Sequence, residues 1–192
     1  MRGSLILCGV GGMGILKASE IIAEVLLQSG FLVRQSEVHG MAQRGGSVVT
    51  HLRFGNEAYA PLLARGEADF MLAFEEMEAL RYLPYLKKGG TVLLNTVRMC
   101  PPGIEMKRYP QATVDILKTH GFTVIPLNAT EISLQIGDIR TTNIVLLGGF
   151  STIFPINDPD IWKKAIEKAL AGKNLPKNFL AFEEGRRCVE SL

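Results

Sequence analysis

Two short loops hold the residue types that could do chemistry. The first is GVGGMG, Gly9 to Gly14, directly after the apolar run Leu5-Ile6-Leu7-Cys8. Gly9, Gly11 and Gly14 have G-x-G-x-x-G spacing, and Gly12 adds a fourth small residue. Between a strand and a helix, such a loop can aim unpaired backbone N–H groups and a partial positive charge at a phosphate. The second loop is the polar run SEVHGMAQRGG, Ser36 to Gly46. The Arg44 guanidinium is a planar fork that can grip a phosphate or a carboxylate at two points. Gly45 and Gly46 leave accessible amides beside it. Glu37 and Gln43 could position a substrate or pair with Arg44, and His39 could reach into a pocket on a partner.

Each of these residues also has a plainer role. The glycines could serve only a tight strand-to-helix turn or a partner contact. Arg44 could form an ion pair with another subunit, and His39 a hydrogen bond in a capped turn. A ligand, if held, is either a phosphate compound or a dinucleotide. The dinucleotide alternative, a stand-alone NAD(P)- or FAD-binding oxidoreductase, needs an acid at the end of the second strand. Glu37, 23 residues beyond Gly14, is the candidate, near the ~20 such domains use. Its polar surroundings are unlike those of a plain cofactor domain.

Other polar residues read as structural. His51 alternates with Arg53 and is expected at the surface or an interface. Glu75-Glu76-Met77-Glu78 reads as a solvated first turn of a helix, favoured by its dipole. Asn143 is expected to anchor an apolar helix, with a ligand contact as the alternative. Met13 and Met41 flank the two loops and read as packing, or as a thioether wall suited to an aromatic ring. Cys8, Cys100 and Cys188 lie far apart with no C-x-x-C among them, so this chain alone is not expected to hold an iron–sulfur cluster or structural zinc. They also give no disulfide framework, which points to a reducing, cytoplasmic setting.

Apolar periodicity indicates the elements that position these loops. Strands are expected at Ser4–Cys8, Phe31–Val38, Ser47–Phe54, Asp69–Phe74, Thr91–Asn95 and Phe122–Leu127. Helices are expected at Gly12–Gln28, Glu75–Leu83, Pro110–His120, Asn128–Gln135, Thr141–Phe154, Asp158–Ala171 and Asn178–Cys188. Too few residues separate the second and third strands for a full helical crossover, so either one antiparallel strand or a very short helix in the loop is expected there. The expected fold is α/β: a three-layer, Rossmann-like, mostly parallel sheet with helices on both faces. The 192 residues, 47% hydrophobic, suit one domain over 1–192. A net charge of +2 gives no reason to expect nucleic acid or a membrane surface as partner. No apolar run reaches the roughly 18 residues of a spanning helix.

GVGGMG followed by SEVHGMAQRGGSV, NATE and IRTTNIVLLGGF resembles the gamma-type subunit or domain of the 2-oxoacid:ferredoxin oxidoreductases. The SEVHGMAQRGG segment is most similar to the small (beta) subunit of the indolepyruvate branch. The resemblance runs over roughly residues 4 to 185. It implies decarboxylation of a 2-oxo acid, here indolepyruvate or another arylpyruvate, on thiamine diphosphate. Electrons would pass through iron–sulfur clusters to ferredoxin, and the acyl group to coenzyme A, the co-substrate. It further implies that thiamine diphosphate, its Mg and the 4Fe-4S clusters belong to the large (alpha) subunit. Gly137-Asp138-Ile139, which lacks the second glycine of a thiamine-type G-D-G, agrees with that division. Gly9, Gly11, Gly12, Gly14 and Arg44 are then the candidate coenzyme contacts. Glu37, His39, Gln43, Gly45 and Gly46 would face the substrate or the partner, and no residue of this chain is named as catalytic.

Overall fold

A computed structural model describes residues 1–39, 45–56, 60–100 and 105–192. The chain runs β1 (Gly3–Val10), α1 (Ile15–Gln28), β2 (Leu32–His39), β3 (Ser47–Gly55), β4 (Ala68–Ala73), α2 (Glu76–Tyr82) and β5 (Leu86–Asn95). It continues through α3 (Thr113–Thr119), β6 (Thr123–Leu127), α4 (Ala129–Gln135), α5 (Thr142–Ile153), α6 (Pro159–Ala169) and α7 (Leu175–Glu190). The six strands lie in the order β2-β3-β1-β4-β5-β6. β4, β5 and β6 continue parallel from β1, whereas β3 is antiparallel to both β1 and β2. The allowance for one antiparallel strand is thus met by β3.

Period-two alternation splits the sheet into two apolar faces. Leu5, Leu7, Leu72 and Leu93 pack with Ile22 of α1, Val145 of α5 and Phe182 of α7. Ile6, Cys8, Met71, Val92 and Leu94 point the other way, onto Ala79 of α2 and Leu117 of α3. The result is the expected three-layer α/β arrangement. No helix among the described residues is long and apolar enough to cross a membrane.

Helix ends follow local chemistry. α1 starts at Ile15 rather than Gly12, because Gly12 and Gly14 hold positive φ of 104° and 80°. It stops at Ser29-Gly30, where the Gly30 and Phe31 amides donate to the carbonyls of Leu27 and Leu26. Asn128 caps α4 by accepting the Glu131 N–H at 3.1 Å. α7 begins at Leu175, earlier than the expected Asn178, since Pro176 is tolerated in a first turn. α5 and α7 touch through glycines. A Cβ on Gly148 would lie 2.0 Å from the Phe182 carbonyl oxygen, and one on Gly185 1.9 Å from that of Val145.

Candidate functional site

The chain leaves β1 toward β2 on one side of the sheet and later takes up β4 on the other. In an open α/β sheet, the crevice at the carboxyl ends of strands around such a reversal is where ligands bind. The glycine loop lies there. Gly9 ends close to the β4–α2 connection, since a Cβ would come within 2.6 Å of Phe74 Cβ. At Gly14 a Cβ would meet Asn143 Nδ2 at 2.7 Å, so this glycine admits α5 close to the start of α1. Asn143 Nδ2 donates to the Gly14 carbonyl at 3.4 Å, as expected of an anchor, and its buried Oδ1 has no partner. At Gly12 a Cβ would meet nothing, so the loop faces open space at that point.

The two loops singled out in the sequence meet. The Gly11 N–H donates to the Gly46 carbonyl at 2.8 Å, and the Gly45 N–H donates back to the Gly11 carbonyl at 3.4 Å. One amide of the glycine motif is therefore used within the chain and does not point at a pyrophosphate. β3 also separates β2 from β1. At about 4.8 Å per strand, Glu37 starts about 10 Å to the side of β1, not on the neighbouring strand of a dinucleotide fold. Glu37 is exposed, opposite Thr50, and accepts from Gln35 Nε2 at 3.1 Å. These features disfavour the NAD(P) or FAD alternative. Gln43 and Arg44 lie outside the described residues, and of His39 the structure gives the backbone, which ends β2 opposite Val48.

A cleft of about 400 Å³ opens beside the glycine loop. Gly12–Gly14, Val97, Met99, Ile139 and Arg140 line it. The sequence offered Met13 and Met41 as packing or as such a wall, and Met41 lies outside the described residues; Met99, Ile139 and Arg140 were missed. The last two belong to the IRTTN stretch, which follows α4 and returns to the loop through the fold. Arg140 is oriented before any ligand arrives. Its Nε and Nη2 each lie 2.8 Å from an Asp138 oxygen, and these bonds hold the Asp138 carboxyl down at about 2. Asp138 also accepts the Arg140 N–H at 3.1 Å, so Gly137-Asp138 serves a turn.

The acidic run is not solvated, and that expectation is corrected. Glu75, Glu76 and Glu78 are 0%, 5% and 2% exposed. Glu75 accepts from the Met99 N–H at 2.9 Å, the Glu78 N–H at 3.0 Å and the Tyr109 hydroxyl. Arg98 Nε lies 3.0 Å from Glu76, and Arg81 Nε 3.0 Å from Glu78. Glu78 also accepts from the Ser47 hydroxyl. Burial first, then the Glu78 and Glu75 carboxylates, push the Cys8 thiol well above its usual range, which makes it a poor nucleophile. His51 is likewise buried, at 4% exposure, against the expectation of a surface or interface position. Its Nδ1 accepts the Leu63 N–H at 3.2 Å, and burial followed by the Arg53 charge lowers its pKa.

The family pattern described as pyruvate ferredoxin/flavodoxin oxidoreductase matches residues 4–188, nearly the whole chain. The chain belongs to that oxidoreductase family. Within it, the chain is of the gamma type. It is 37% identical to the indolepyruvate oxidoreductase subunit IorB of Thermococcus kodakarensis, over 98% of this chain and 96% of that one. The gamma subunit of a keto/oxoacid ferredoxin oxidoreductase from Geobacter sulfurreducens shares the fold, with a TM-score of 0.75, 20% identity and 99% coverage of both chains. A 2-oxoglutarate:ferredoxin oxidoreductase from Magnetococcus marinus, solved with 2-oxoglutarate, coenzyme A and succinyl-CoA, contains the fold as 31% of a longer chain (TM-score 0.77, 20% identity). These oxidoreductases share the fold as architecture.

Proposed function

We propose that this chain is the small subunit of an indolepyruvate-type 2-oxoacid:ferredoxin oxidoreductase. The complex decarboxylates indolepyruvate or a related arylpyruvate, reduces ferredoxin and releases an arylacetyl-CoA. The observation that carries this reading is the 37% identity to an indolepyruvate oxidoreductase subunit along 98% of the chain. The geometry supports it by disfavouring a dinucleotide in the glycine loop.

The described residues do not fit a metal centre. Cys8 is enclosed in the core, and among the described residues no three His, Cys, Asp or Glu side chains could hold a metal ion together. We therefore assign thiamine diphosphate, Mg and the 4Fe-4S clusters to the large (alpha) subunit, and the transfer to ferredoxin to the complex as a whole. The residues do fit coenzyme A. When bound, coenzyme A supplies the thiol that takes the acyl group. This chain's part is to bind and orient it. Arg140 at the cleft rim, and Arg44 beyond the described residues, suit its phosphates. The positive end of the α1 dipole favours the same charge. Met13, Val97, Met99 and Ile139 offer an apolar wall to its uncharged arm or to an aryl side chain.

Co-expression with the large subunit, followed by steady-state assay with several 2-oxo acids, tests this reading. Indolepyruvate should have a kcat/KM at least tenfold above that of pyruvate. A preference for pyruvate or 2-oxoglutarate would reject the arylpyruvate assignment.

A further inference from the structure

Three carboxylates in one buried helical turn need a reason. Like charges so close together oppose one another, and each loses water on burial. An apolar turn would fill this part of the core at less cost. Their partners supply the reason, because those of Glu75 and Glu76 include the Val97–Met99 segment that lines the cleft. Glu75 holds the Met99 amide and the Tyr109 hydroxyl, and Glu76 holds the Arg98 side chain. The Glu76 N–H also donates to the Val97 carbonyl at 3.1 Å. Val97 and Met99 form one wall of the cleft. Glu78 reaches the start of β3. It takes the hydroxyl of Ser47, whose Oγ also lies 3.0 Å from the Tyr82 hydroxyl.

Ser47 is the first residue of β3, directly after the Gly45-Gly46 pair bonded to Gly11. The backbone ladder already places it, opposite Val10. The side-chain anchor is therefore superfluous for forming β3 and acts on the chain that enters it.

We propose that Glu78 is a positioning residue: through the Ser47 hydroxyl it fixes where Gly45 and Gly46 meet the glycine loop, and so how that rim meets coenzyme A. The anchor rests on the reading of the cleft as the coenzyme-facing side of the subunit. Glu78 touches no reacting atom, and its effect belongs in the binding of the coenzyme rather than in turnover.

The test uses the two-subunit complex with Ser47→Ala, Glu78→Gln and Glu78→Ala, read by amide hydrogen exchange and by kinetics. Ser47→Ala and Glu78→Ala should speed exchange at the Gly11 and Gly45 amides at least tenfold, with β4 and α5 unchanged. Both should raise the KM for coenzyme A at least fivefold while kcat stays within twofold. Glu78→Gln keeps an acceptor oxygen for Ser47 and should stay within twofold of wild type in KM. Unchanged exchange in Ser47→Ala overturns the anchor. Faster exchange with an unchanged KM overturns its role in coenzyme binding. Glu78→Gln as impaired as Glu78→Ala also overturns it, because charge and not the held hydroxyl would then matter. A wild-type complex that turns over no 2-oxo acid rejects the functional reading, and the exchange comparison then decides the anchor by itself.

Discussion

Asp138 gives both carboxylate oxygens to Arg140, and the guanidinium stands exposed at the cleft rim in a fixed orientation. A pre-oriented cation loses little freedom when an anion arrives. Arg140→Ala should therefore raise the KM for coenzyme A about tenfold in the assembled enzyme, as expected for loss of one charge-assisted bond. Steady-state kinetics at varied coenzyme A checks this. His51 makes a different prediction. Its ring must stay unprotonated at Nδ1 to accept the Leu63 amide, and burial lowers its pKa from 6.5. Below about 6.5 the unfolded chain binds the proton that the folded chain refuses. Stability is then full above that pH and falls as the pH drops, by at most about 1.4 kcal/mol per unit. Urea midpoints at pH 7.5 and 5.5 should show this drop, and His51→Asn, which retains an acceptor, should reduce it. The sequence placed His51 at a surface or an interface, because the alternation in β3 is real but does not show that both faces of that strand are covered. It likewise showed the carboxylates of α2 without their partners, since Ser47 and Tyr109 come together there from far apart along the chain.

Among the elements, the close crossing of α5 and α7 is the part least tolerant of change. Gly148 and Gly185 each face a backbone carbonyl of the opposing helix at a distance no Cβ could accept. Gly148→Ala should destabilise the chain by about 3 kcal/mol, because the helices must separate to admit one methyl group. Chemical denaturation measures it, and a loss below about 0.5 kcal/mol would show that the helices are not so close. In the sequence the Gly148-Gly149 pair reads only as a break in the longest apolar run. Strand and helix positions were legible because periods of two and of 3.6 are local. Strand order was not. The short link before β3 allowed an antiparallel strand or a very short helix in the loop, but nothing local said that β3 would insert between β1 and β2. That insertion moves Glu37 away from the glycine loop, and it also brings Gly45 and Gly46 onto that loop.

At the scale of the whole molecule, the sheet presents a glycine loop at its switch point without the strand neighbour that a dinucleotide requires. A cleft about 400 Å³ in volume, with a cation at its rim, stands beside that loop. The chain thus offers backbone amides, a guanidinium and an apolar wall, and we assign the electron-carrying groups to another subunit. Titration calorimetry of the chain alone should accordingly show no micromolar binding of NAD, NADP or FAD, which would correspond to about −8 kcal/mol. The most direct test assays coenzyme A-dependent reduction of ferredoxin by indolepyruvate with each subunit separately and with the two mixed. Activity should appear only in the mixture and should saturate at a fixed ratio of the two chains. Full activity of this chain alone, or of the large subunit without it, would contradict the division of labour proposed here.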